Sequence, residues 1–219
     1  MLAKKTVDFL KKLENNNDRD WFTANKGLFL DANDNIIALT DELLGFISRF
    51  DAAVIGLDPK SCVFRIYRDV RFSKDKSPYK TNLGAAISPG GRKGNLPGYY
   101  FHIQPKMFFA AVGKHMPDAA ELLKIRTAIS KDPKTFFKVI EAKKFRDRFG
   151  EINGDRLMRP PKGFAADDPT IEYLKLKSFT VSQEFTEKEA LGKDYTARLA
   201  KSFEDAYPLI EFLRNALKS

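Results

Sequence analysis

Six cations fall between Ser61 and Lys80: Arg65, Arg68, Arg71, Lys74, Lys76 and Lys80, against only Asp69 and Asp75. They are threaded through Val63, Phe64, Ile66, Val70 and Phe72, an apolar series that a merely solubilising stretch does not need. A guanidinium offers several N–H donors in a fixed plane, so closely spaced arginines suit a phosphate or carboxylate gripped by paired, charge-assisted hydrogen bonds. Arg65, Arg71, Lys76 and Tyr79 are therefore the candidate ligand-binding residues. Asp69 and His102 are the candidate proton-transfer groups, His102 being one of only two histidines. Whether the site is an enzyme's is left open by the sequence.

The chain around these residues must present them. Residues 62–72 alternate and predict a strand, with Cys62, Phe64, Ile66, Arg68, Val70 and Phe72 on one face. Val63, Arg65, Tyr67, Asp69 and Arg71 share the other. Leu83–Ser88, Tyr99–Gln104 and Met107–Val112 predict three further strands, the last apolar on both faces and hence central. Short links between them, such as Pro105-Lys106, favour an antiparallel meander. With apolar rows turned inward, the opposite face would carry Arg65, Asp69 and Arg71 beside a floor of Gly84, Ala86 and Ser88, then Tyr100, His102 and Gln104. Small residues in that floor leave room for a ligand. Arg68, on the apolar face, reads as a brace paired with an acid, and Arg126 has a similar reading.

Helices flank this centre. Val7, Leu10 and Leu13 mark a helix near residues 3–14, and Asp18 can cap the next one, which carries Trp21 as a core anchor. Apolar spacing continues through Ile36, Leu39 and Leu43. Further on, Pro117-Asp118 and Asp132-Pro133 open helices, with Lys134, Lys138, Lys143 and Arg146 on a solvated face. Residues 151–169 read as loop, 179–185 as a strand, and 187–218 as helices broken near Pro208. The expected fold is α+β: a central antiparallel β-meander with helices from both ends of the chain packed mainly on one face, in a single domain over 1–219.

Composition narrows the function classes. The 219 residues are 43% hydrophobic and 31% charged, which predicts a globular rather than a disordered chain. Residues 1–60 hold eight Lys/Arg against ten Asp/Glu, whereas residues 61–115 hold ten against two, so most of the net charge of +9 sits in one quarter of the sequence. Such a field attracts anions: a small phosphate- or carboxylate-bearing ligand first, a nucleic acid as the less favoured partner. A third reading makes the arginines internal bracing of a structural or interaction protein. A lone cysteine excludes intrachain disulfides and Cys-based zinc sites. No phosphate-loop, dinucleotide or zinc-protease motif occurs, and no metal or cofactor is expected. No apolar run reaches bilayer length, and a cytoplasmic location is expected; oligomeric state is left open.

Arg65-x-x-Arg68-Asp69-x-Arg71-Phe72, followed by Asp75-Lys76 and Tyr79, resembles the signature of an uncharacterised bacterial family catalogued as domain of unknown function 2461. The resemblance extends to Asn16-Asn17 with Asp20-Trp21-Phe22, to Ile125-Arg126, to Pro161-Lys162-Gly163-Phe164 and to Tyr173-Leu174-Lys175. It implies that the arginine motif belongs to the family's signature. It lends no reaction, cofactor or substrate.

Overall fold

The structure, a computed structural model, describes residues 1–152 and 154–218. Asn153, inside the expected loop over 151–169, and Ser219 lie outside the described residues. Helices α1 (Lys4–Asn15), α2 (Arg19–Ala24), α3 (Lys26–Ile47) and α4 (Pro59–Cys62) come first. Strands β1 (Leu83–Ile87), β2 (Gly98–Gln104) and β3 (Met107–Lys114) follow, then α5 (Ala119–Lys131), α6 (Pro133–Ile140), α7 (Lys143–Phe149) and α8 (Ile171–Leu174). Strand β4 (Phe179–Phe185), α9 (Glu187–Ala190) and α10 (Tyr195–Lys218) complete the chain. The strands form one antiparallel sheet in the order β1-β2-β3-β4, so the fold is α+β with helices at both ends of the sequence.

Strand periodicity is plain in the burial of β2, whereas β1 is buried at Gly84 as well. Tyr99, Phe101 and Ile103 of β2 and Leu83, Ala85 and Ile87 of β1 are buried, while Tyr100, His102 and Gln104 are half-buried. One strand expected from sequence does not form. Cys62 ends α4, and beyond it the chain makes isolated bridges, Val63 to Ala85 and Tyr67 to Tyr79. The returning limb supplies too few donors for a ladder. Pro78 has no N–H, and the Ser77 N–H is taken by the Asp75 side chain at 2.9 Å. Residues 64–80 are instead an irregular arm, tied across by Lys80 N–H to Ile66 O at 2.8 Å and Arg68 N–H to Pro78 O at 3.0 Å.

The chain folds as two compact units. The first comprises Met1–Asn95, Tyr100–Ala110 and Glu184–Lys201. In it α3 packs on α1 and β1, with Ile36, Leu39, Leu43 and Ile47 fully buried at helical spacing. Asp18 caps α2 as expected, accepting from Trp21 N–H at 2.8 Å. Trp21 itself is half-buried, stacked against Phe9.

The second unit comprises Leu96–Tyr99, Ala111–Gln183 and Ser202–Ser219. Asp118 and Glu121 form a reciprocal cap at the start of α5, and Asp132 caps α6 with Pro133 in its first turn. Gly113 has φ +133°, and a Cβ there would lie 2.0 Å from Phe179 O, so only glycine lets β3 and β4 approach at this point. Pro208, expected to break the last helix, lies inside an unbroken α10. One lost backbone hydrogen bond is outweighed there by Phe203, Ala206, Leu209, Ile210 and Leu213, all fully buried. Arg126 is only 9% exposed and donates to Leu176 O at 3.0 Å; no carboxylate among the described residues pairs with it, unlike the brace expected from sequence.

Candidate functional site

The arm over 64–80 keeps the alternation of an extended chain although it lacks a regular ladder. Arg65, Tyr67, Asp69 and Arg71 are exposed, while Ile66 is buried and Phe64, Arg68 and Val70 are half-buried. The base of the arm is held firmly. Asn17 clasps the Tyr79 backbone from both sides, accepting from its N–H at 3.1 Å and donating to its carbonyl at 2.9 Å. The Tyr79 ring, 5% exposed, stacks on Phe22 at 3.9 Å between centroids, and burial raises its hydroxyl pKa. Tyr79 thus serves the arm by anchoring it, with its ring turned into an aromatic pile.

Both acids of the arm are already engaged. Asp69 receives the Arg71 guanidinium through two bonds, Nε to Oδ1 at 2.9 Å and Nη2 to Oδ2 at 2.7 Å. Those bonds and the Arg71 N–H, helped by the charge of Arg65, hold the carboxyl below the usual aspartate range. Asp75 is pulled down to about 2 by the Ser77 hydroxyl and N–H and then by its ion pair with Arg68. Arg68 also reaches Ser77 O and Ser73 Oγ, so it is the brace that its apolar face suggested.

The remaining cations are Arg65, Lys74, Lys76 and Lys80. Lys76 Nζ donates to Val70 O at 3.0 Å, closing the tip. Lys80 was not singled out from the sequence, yet it stands across the arm from Arg65. Its Nζ donates to Arg65 O at 3.1 Å and lies over the Phe64 ring, and its pKa is lowered by burial and by the Arg65 charge. The signal that could have found it was the return of the chain after Pro78, which sets residue 80 against residues 65–66. No hydrogen bond or ion pair engages the Arg65 side chain among the described residues.

His102 belongs to a different arrangement. Its Nδ1 lies 2.8 Å from Tyr100 Oη and its Nε2 lies 3.0 Å from Gln104 Oε1. A neutral imidazole satisfies both when the tyrosine donates to Nδ1 and Nε2–H donates to the amide oxygen. Phe109 stacks on the imidazole at 4.7 Å, and burial lowers the histidine pKa. The floor of small residues exists, but over Gly84 its room is filled. A Cβ on Gly84 would meet Tyr100 Oη at 3.1 Å, and Phe64 packs edge-on against the same ring. Tyr100, with its pKa pushed up to about 12 by burial, covers the floor at Gly84. The structure thus brings Arg65, Asp69, Arg71 and Lys76 together on one arm with Tyr79 at its base, and binds His102 into the sheet face.

The conserved hypothetical protein family known as domain of unknown function 2461 matches residues 5–212. The chain belongs to that family. No curated protein and no solved structure matches it. In this member of domain of unknown function 2461, no group of three or more His, Cys, Asp or Glu among the described residues is arranged to hold a metal. No helix among them is long and apolar enough to cross a membrane. Within the second unit an open cleft of about 790 Å³ is lined by Lys131, Thr135 and Lys138 on one side and Glu211, Phe212 and Asn215 on the other. None of the candidate residues of the arm lines it.

Proposed function

We propose that the arm over 64–80 binds a phosphate- or carboxylate-bearing anion, with Arg65 and Lys80 as the gripping pair. One observation carries this reading. Lys80 Nζ is tied to Arg65 O at 3.1 Å, and no hydrogen bond or ion pair engages the Arg65 side chain among the described residues, while both aspartates of the arm are held by other arginines. An anion placed between them would replace repulsion by two charge-assisted contacts. Lys76 would add to the field from the tip, where the charge of Arg71 is offset by Asp69. Asp69 and His102 are assigned no reaction: the first is neutralised by Arg71, and both ring nitrogens of the second are engaged within the sheet.

Thermal unfolding tests the proposal. Phosphate, pyrophosphate and phosphorylated metabolites should raise the midpoint relative to chloride at equal ionic strength, by about 2–4 °C for each kcal/mol of binding free energy. The rise should vanish in Arg65→Ala and Lys80→Ala and persist in Lys93→Ala, an exposed cation outside the arm. Equal stabilisation by chloride, or an undiminished rise in Arg65→Ala, removes the reading.

A further inference from the structure

The arm also carries aromatic surface that a small anion would not use. Phe72 is 97% exposed at the tip and Tyr67 is 53% exposed towards the base. A bare phenylalanine forgoes most of the free energy that its burial would contribute. The two rings differ in support. Tyr67 leans on the pile of Phe22 and Tyr79, at 6.3 and 5.4 Å, which fixes its plane. Among the described residues, the ring contact of Phe72 is with the Arg71 guanidinium, 5.9 Å from its centroid.

The cations that no acid of the arm neutralises are spread in the same way. Arg65 lies two residues before Tyr67 and Lys80 follows Tyr79, the bridge partner of Tyr67, while Lys74 lies two residues after Phe72 and Lys76 Nζ is tied to Val70 O, two residues before it. Phe72 lies seven positions beyond Arg65, with six residues between them. A lone phosphate group offers no planar face to either exposed ring.

Resting on the reading of this arm as an anion site, we propose that its ligand is a single-stranded nucleic acid, with phosphates along Arg65, Lys80, Lys74 and Lys76 and unpaired bases stacked on Tyr67 and Phe72. Planar groups alternating with phosphates match rings alternating with cations, and every base has a face to offer, so such binding tolerates sequence. A duplex keeps its bases stacked inside and would leave both rings unused. A membrane surface would engage the tip ring alone, whereas the second exposed ring is fixed at the base by Phe22 and Tyr79.

The full chain should be titrated by fluorescence anisotropy against a labelled twelve-nucleotide single strand, inorganic polyphosphate of similar charge, and phosphatidylserine vesicles. The single strand should bind, and four neutralised phosphates should make affinity fall about 50-fold between 50 and 200 mM salt. Phe72→Ala should weaken it about tenfold or more with unchanged thermal unfolding, because the ring is almost wholly exposed, whereas polyphosphate affinity should not change. Polyphosphate binding without single-strand binding overturns this inference and leaves the anion site standing. Preference for vesicles, or a single strand held equally well by Phe72→Ala, also overturns it. Failure to bind any of the three defeats both readings together.

Discussion

Two arginines of one motif do opposite things, as their opposite faces suggested. Arg65 and Arg68 are three residues apart, yet Arg68 is fixed by Asp75, Ser73 and Ser77 while Arg65 is left exposed. His102 is a third case, in which burial rather than charge sets behaviour. Its folded pKa lies below the ordinary value of 6.5. The unfolded chain therefore binds a proton more readily, and stability from this residue is complete above about pH 6.5 and is lost as pH falls towards the folded value. Urea midpoints of the wild type should drop between pH 7 and pH 5, and those of His102→Gln should drop less. A difference between the two that stays constant over that range would show that His102 does not titrate with folding.

At the scale of elements, the arm is an anchored base with an open tip. Asn17 provides the anchor, and its side chain satisfies both backbone groups of Tyr79. Asn17→Ala leaves those groups without a partner and should cost about 1–3 kcal/mol in urea unfolding. Phe72→Ala at the tip should stay within about 0.5 kcal/mol. Equal losses at the two positions would contradict the division into base and tip. Much of this level was legible from residue order. Period-two burial in β2, the caps at Asp18 and Asp132, and the brace at Arg68 all follow from local patterns. The strand expected over 62–72 was not, because whether an extended chain finds a ladder depends on the donors of its partner. Pro78 and the Asp75 turn lie outside the stretch that shows the alternation. The filled floor above Gly84 was hidden for a related reason: sequence shows the size of Gly84 but not that Tyr100 leans over it. Pro208 was misjudged because a local rule about proline competes with burial of the residues around it, which only packing reveals.

For the whole molecule, the division of charge has a practical side. The first sixty residues carry a slight acidic excess, and the arm that follows is strongly basic. Within the first unit, the arm's base is joined to the body by the Asn17 clasp, the Val63–Ala85 bridge and the Phe22–Tyr79 stack, none of which involves residues 70–76. The same basic residues that make the tip attractive to anions also make it a substrate for trypsin. A single nick after Arg71 or Lys74 should leave two fragments that still elute together under native conditions and part only in denaturant. Fragments that separate at once would mean that the tip holds the arm closed. The chain thereby contains its own footprinting reporter. Whatever occupies the tip should slow that one cut, so a digest against time can rank unknown ligands with no label attached to the protein.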